Sequence, residues 1–569
     1  MLQFYDFEVF KYDWLVVIIS PTNKTETVIV NDVEKLRDYY KEHKDDIWIG
    51  YNSRMYDQWV LKAILCGFNP KKINDWIIVD NKQGWMFSNL LRNYPLNNYD
   101  VMTSFHGLKQ LEGFMGNNIK ETSVDFNIDR KLTTEEIQET IKYCKHDVEQ
   151  TIEVFIERKE DFDAHLGLIK KFNLPLNYIS KTKAQLSATI LGGVKRKYDD
   201  EFDIEFLPCI KLNKYKSAIE WFKNPLNRNY DKEFELEVAS VTHSFGWGGL
   251  HGAKEKYHGT GLIIHVDVTS YYPSLMIEWN LLSRSATKPE LFKEIYDERV
   301  ALKKAGKKKE QAPLKIVLNG TYGICKDKNN PLYDPKKAND ICINGQLLLL
   351  DLVEHMEQIK GFELIQSNTD GLIVKIPNTD EAFNELDDIC YEWETRTKMG
   401  LGFDYIKEIY QKDVNNYVFI QDDGKIERKG SYVKELNNLD YDLPIVNKSI
   451  VEYMINKTPI ERTINECNIF KDFQKIVKIS SKYLRGWHND KFLNDKTFRV
   501  FASNNEEDSY IGKQKYEGAT IEKFAITPEN CFIENGDVNN MRIPTKLNKQ
   551  WYIDLAYKRL SDYGIESGD

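Results

Sequence analysis

Apolar runs of strand length open the chain. Leu2–Val9, Trp14–Ser20 and Thr27–Val30 are rich in Val, Ile and Phe, the side chains that suit a pleated surface, with turn residues at Pro21-Thr22-Asn23. Ile47-Trp48-Ile49-Gly50 predicts a fourth strand, and a polar loop leads from it into a helix from about Gln58. Thr133 and Glu136 have the spacing of a capping box. The period that follows predicts a helix to about Arg158, with Ile137, Ile141, Val148, Ile152 and Phe155 on its buried side.

Residues 165–240 show no dominant period. Phe245-Gly246-Trp247-Gly248-Gly249 reads as a glycine-rich connector, and Leu262–Val268 as a buried strand with Pro273 near the start of the next helix. Residues 291–325 predict two helices separated by Lys307-Lys308-Lys309-Glu310 and Pro313. Leu364–Gln366 and Leu372–Ile376 flank Asn368-Thr369-Asp370-Gly371, a hairpin signal built on Asp-Gly. From about residue 431 the pattern is helical and then irregular, and no internal repeat is present.

At 569 residues the chain has room for three to five domains. Its formal net charge of −10 argues against an evenly basic surface, but binding to a polyanion needs only a local one. The eight cysteines contain no Cys-x-x-Cys pair, which disfavours zinc knuckles and cysteine-ligated iron–sulfur clusters and fits a reducing cytoplasm. Signal-peptide and membrane-spanning patterns are absent from the reading.

Three acidic clusters then stand out. Asp6 and Glu8 are two apart on a predicted strand and share a face. Asp57 follows Asn52 and Tyr56 just before a helix. Tyr143 and Asp147 are four apart on a helix, where the carboxylate can bind a cation and the hydroxyl can orient a water. Carboxylates from separate elements can hold two divalent metals about 4 Å apart, the arrangement that cleaves phosphodiesters in line. With a sheet first, helices after and acids at element ends, this predicts an RNase H-like α/β nuclease domain. A second set follows: Asp267 at a strand end, Asp370 at a hairpin tip, and Lys315, Asn319 and Tyr322 along one helix stripe between them. Paired carboxylates with a lysine against phosphates suit phosphoryl transfer from a triphosphate, and Arg299 is a further candidate phosphate ligand.

In order and spacing these segments resemble DNA-directed DNA polymerase family B, of the compact phage type with a 3′–5′ exonuclease. The three exonuclease motifs match at Asp6 and Glu8, at Asn52, Tyr56 and Asp57, and at Tyr143 and Asp147, with Val9 where many members have threonine. Motif A matches from Asp267 with Tyr271 for leucine. Motif B matches from Lys315 with Gly320 for serine, and motif C ends on Asp370 with Asn368 for the first aspartate. The resemblance implies an α+β multidomain fold, with the nuclease domain joined to a right-hand polymerase of antiparallel palm, helical fingers and thumb. The implied segments are 1–165 (exonuclease), 166–240 (connecting and N-terminal palm), 241–290 (palm, motif A), 291–330 (fingers, motif B), 331–430 (palm, motif C) and 431–569 (thumb and C-terminal region).

By the same resemblance Asp267, Val268 and Asp370 hold metal at one site, and Asp6, Glu8, Asp57 and Asp147 at the other, with Tyr143 catalytic. Tyr272 lies under the sugar and excludes a 2′-hydroxyl, while Lys315, Asn319 and Arg299 bind the nucleotide. Asn52, Tyr56, Gly248, Gly249, Tyr322, Tyr417 and Lys429 contact DNA, with Asn415 where the primer motif has lysine, and Lys120 lies where a helper lysine is often found. The implied cofactors are two Mg2+ per site, replaceable by Mn2+, and the partners are primer-template DNA, deoxynucleotides and a processivity factor or helicase. A monomer in the cytoplasm of a bacterial host is expected. Asp267 to Lys315 and Tyr322 to Asp370 each span 48 positions, leaving little space for the insertions of protein-primed members. A stand-alone exonuclease, a non-catalytic scaffold and a reverse transcriptase explain fewer of these residues.

Overall fold

A computed structural model describes residues 1–103 and 105–565. The chain is an α+β protein of two compact units: residues 1–182, 436–445 and 466–552 in the first, and 183–435, 446–465 and 553–569 in the second. The stretch 431–569 is therefore shared between them.

The first unit begins with a five-stranded sheet in the order β3-β2-β1-β4-β5, made of β1 (Leu2–Val9), β2 (Trp14–Ser20), β3 (Thr25–Val30), β4 (Ile47–Gly50) and β5 (Asn98–Asp100). β2 runs antiparallel to both of its neighbours, β1 and β3, whereas β4 pairs parallel with β1 and β5 parallel with β4. Aromatic and branched side chains of these strands pack against the Asp57–Leu65 helix around Trp48, Val60 and Leu61. The Thr134–Glu157 helix opens on the Thr133 capping box, as expected. Its buried face is Thr140, Cys144, Asp147, Val148, Thr151, Val154 and Phe155; Ile137, Ile141 and Ile152 are only half-buried. The face is thus rotated toward residues that serve the site. Residues 466–552 add short antiparallel strands, where the sequence pattern is irregular.

The second unit is organised by a nine-stranded antiparallel sheet in the order β14-β13-β12-β9-β11-β10-β8-β7-β6. Its strands are β6 (Glu233–Val238), β7 (Val241–Gly246), β8 (Gly249–Ala253), β9 (Tyr257–Val268), β10 (Glu363–Ser367), β11 (Gly371–Ile376), β12 (Leu401–Asp413), β13 (Asn416–Gln421) and β14 (Ile426–Lys429). Residues 245–249 are not a connector between domains but the tight turn of the β7–β8 hairpin, in which Gly246 pairs with Gly249. Two helices, Pro289–Lys304 and Lys308–Lys326, follow motif A. Lys308–Glu310 and Pro313 lie inside the second helix rather than between the two; a proline this near the N-terminus removes a single backbone bond.

The Pro335–Met356 helix has no counterpart in the sequence reading, because its polar positions resemble a solvated face. They are buried acceptors. Asp340, Asn344, Asp351 and Glu354 accept hydrogen bonds from the backbone N–H groups of Glu205, Leu207, Lys211 and Asn213, so the helix holds a segment that forms no strand or helix itself.

Candidate active sites

In the first unit each carboxylate is positioned by backbone chemistry. Asp6 and Glu8 project from the same face of β1. The N–H of Phe7, between them, donates to Asp57 Oδ1 at 3.0 Å, which ties the first residue of the Asp57–Leu65 helix to that strand. Cys144 Sγ donates to the Asp6 carbonyl at 3.3 Å and lies 3.5 Å from its carboxylate, docking the helix that carries Asp147. Four carboxylates from three elements thereby converge. Burial pushes Asp6 and Glu8 well above the carboxylate range, and charge repulsion within the cluster adds to it. Asp57 is raised to about 7 and Asp147 to about 6, both chiefly by burial.

A lysine overlooked in the sequence stands among them. Lys109 Nζ bonds both Asp147 and Glu112, the latter at 3.1 Å, and lies 4.6 Å from the Tyr143 ring centroid. Lys120 donates its backbone N–H to Glu112 Oε2 at 3.3 Å. Nothing in the pattern around Gly107-Leu108-Lys109 separates it from any helix-start lysine. Among the described residues, two ligand groups are close enough to share an ion: Asp6, Glu8 and Cys144, and Glu112, His146 and Asp147. Asn52 adopts a left-handed φ of 59°, and its carbonyl accepts the N–H groups of Met55 and Tyr56. Its side chain is exposed. Tyr56 is half-buried, with its hydroxyl on Asn74 at 2.7 Å.

In the second unit, β9 and β11 bring Asp267 and Asp370 side by side. Asp267 pairs with Gly371, and the Val268 N–H donates to the Asp370 carbonyl at 2.8 Å. The Asp-Gly pair has a steric reason: a Cβ at Gly371 would sit 2.7 Å from the Val266 carbonyl oxygen. Asn368 builds the turn, its Oδ1 accepting the N–H groups of Asp370 and Gly371 at 3.1 Å each. Burial, then the charge of Asp370, pushes Asp267 up to about 6, and Asp404 and Glu427 add to the repulsion. Those two acids are further residues that sequence reasoning missed, since they come from strands whose register the sequence does not disclose.

Lys315 and Asn319 are exposed on the Lys308–Lys326 helix, and the half-buried Tyr322 ring lies 4.5 Å from that of Tyr272. Arg299 Nε donates to Gln311 at 3.1 Å across the helix pair. Tyr417 is 3% exposed and pairs across the ladder with exposed Lys429, whose Nζ is 5.8 Å from its ring centroid. Tyr417 therefore offers little ring surface to a base. Gly248 has open space where a Cβ would project.

Clusters of buried carboxylates that repel one another are short of positive charge, and oxygen-rich sets of this kind suit hard divalent cations. Asp6, Glu8, Asp57 and Asp147 would hold them in the first unit, and Asp267, Val268 and Asp370 in the second. The class so defined is an α+β protein with two acidic centres whose chemistry suits divalent cations.

Comparison with known proteins narrows this class. No family model matches the chain. It is 26% identical over 197 residues to DNA polymerase 1 of Saccharolobus solfataricus, covering 34% of this chain and 21% of that one. With DNA polymerase 1 of Sulfolobus acidocaldarius it shares 23% identity over 198 residues, covering 34% and 21%. With a DNA polymerase of Desulfurococcus sp. (strain Tok) it shares 26% over 207 residues, covering 29% and 26%. A solved family B DNA polymerase from Pyrobaculum calidifontis aligns with a TM-score of 0.44 and 13% identity, covering 100% of this chain and 78% of that chain. The chain spans about a fifth to a quarter of the length of the curated relatives it matches. By sequence, about a third of the chain is similar to these DNA polymerases. Among the described residues no helix is long and apolar enough to cross a membrane.

Proposed function

We propose that the chain is a template-directed DNA polymerase that adds deoxynucleotides to a primer 3′-hydroxyl, with a proofreading 3′–5′ exonuclease in its first unit. The observation that carries this reading is the pairing of Asp267 beside the Asp370 strand end, in a chain whose relatives are named DNA polymerases. Asp267, Asp370 and the Val268 carbonyl would hold divalent ions, whose chemistry when bound would be activation of the primer hydroxyl and neutralisation of the leaving pyrophosphate. Lys315, Asn319 and Arg299 receive the triphosphate, and Tyr272 lies under the sugar. Gly248, Gly249, Tyr322 and Lys429 line the path of primer and template, with the buried Tyr417 ring packed behind Lys429. In the first unit Asp6, Glu8, Asp57 and Asp147 bind the ions, Tyr143 orients the attacking water, and Asn52 and Tyr56 hold the frayed end. Primer-template DNA and deoxynucleotides are the substrates, magnesium is the working ion, and a processivity factor or helicase completes the setting.

Primer extension on a defined template with magnesium tests this. The wild-type chain extends the primer according to template sequence, and Asp370→Ala abolishes extension while leaving single-strand degradation intact. Degradation without any templated extension by the wild type would instead favour a stand-alone exonuclease whose second unit only binds DNA.

A further inference from the structure

The ring of Tyr272 has a floor. Behind it runs the Pro335–Met356 helix, which presents Gly345: a Cβ there would lie 3.3 Å from Tyr272 Cε1 and 3.6 Å from both Tyr271 Cε1 and Leu275 Cδ1. The Gly345 carbonyl accepts the Tyr271 hydroxyl at 2.6 Å, which pins this helix to the start of the Tyr271–Glu278 helix. The close approach is thus fixed at both ends. Glycine weakens a helix interior, and Gly345 is not among the glycines with positive φ, so no turn calls for it. What calls for it is room for the tyrosine rings. One turn earlier, the fully buried Cys342 thiol lies beside the hydroxyls of Tyr272 and Tyr322. The charge of Asp370 reaches Tyr272 as well.

We propose that Gly345 and Cys342 are positioning residues for sugar selection, setting how far the Tyr272 ring projects toward the incoming nucleotide. The inference rests on the reading of Tyr272 as the ring beneath the sugar. A methyl group at residue 345 meets Tyr272 at a distance tighter than ordinary contact, so the ring must shift by a few tenths of an ångström away from the helix and toward the sugar. Removal of the Cys342 sulfur has the opposite effect, because it opens space into which the ring settles.

The test is the ratio of kcat/KM for a deoxynucleotide to that for the matching ribonucleotide, measured by single-nucleotide primer extension with the full chain. Gly345→Ala raises the ratio by about three- to tenfold, with a higher KM for the deoxynucleotide, and Cys342→Ala lowers it by a similar factor. Tyr272→Ala lowers it further, and in that background neither substitution changes it. A merely structural role would depress both kcat/KM values together and leave the ratio alone. If Tyr272→Ala relaxes the ratio while Gly345→Ala and Cys342→Ala leave it unchanged, or move it the same way, the floor is refuted and the role of Tyr272 stands. If Tyr272→Ala itself leaves the ratio unchanged, the underlying reading of the sugar site fails instead.

Discussion

Neutralising Asp57 should stabilise the metal-free protein while abolishing the proposed nuclease activity. Asp57 is buried, its carboxyl is raised from 3.8 to about 7, and Asp100 and Asp147 repel it. A shift of about three pH units, at about 1.4 kcal/mol each, bounds the cost of keeping it ionised in the fold at about 4 kcal/mol. Asp57→Asn keeps the oxygen that accepts the Phe7 N–H and removes the charge, but the amide is also desolvated, so about half should be recovered, about 2 kcal/mol. The sign follows from the raised value. Folding favours the protonated carboxyl, so the stability tied to it is present below about pH 4 and lost as pH rises through about 7. The gain from Asp57→Asn is therefore largest at pH 8 and much smaller at pH 5. Calorimetric melting in EDTA at both pH values measures it, following whichever transition the substitution moves, since a chain of two units need not melt in one step. Magnesium should then raise the melting temperature of the wild type more than that of the variant. Loss of stability at pH 8, or an equal gain at pH 5, would refute the convergence of charges in the first unit.

Other substitutions test other contacts. Lys109→Met leaves Glu112 and Asp147 without their shared cation, so it should cost about 3–5 kcal/mol at pH 8 and slow degradation but not extension, as melting and paired rate assays would show. Part of that loss should return at pH 5, below the value of about 6 for Asp147. Asn368→Ala removes the acceptor of two turn N–H groups and should lower extension at least tenfold, whereas Asn368→Asp keeps the acceptor and the activity; steady-state extension rates separate the two. Protonation of Asp267, raised to about 6 in the metal-free protein, competes with magnesium, so half-maximal extension should need more magnesium at pH 5 than at pH 8, and an unchanged requirement would contradict its role as a ligand.

The strands of the first sheet and the capped Thr134–Glu157 helix were legible because their signals are local: β-branched runs, a turn, a capping box. The acidic clusters were legible through order and spacing. What the sequence hid is tertiary. Lys109 looks like any lysine at a helix start until Asp147, from another element, is placed beside it. Asp404 and Glu427 come near Asp267 only through the register of β12, β13 and β14. The Pro335–Met356 helix was missed because its periodic polar residues satisfy another segment's backbone rather than solvent, and periodicity cannot distinguish those uses. Asn368, read as a departure from the family pattern, serves as the acceptor that shapes the turn.

The most direct measurement is a separation-of-function pair on one labelled primer-template, with extension and shortening followed together. Asp370→Ala should shorten the primer and never lengthen it, and Glu8→Ala should lengthen it and never shorten it, with wild type doing both according to nucleotide supply. Loss of both activities in each variant, with folding intact by circular dichroism, would contradict two independent acidic centres.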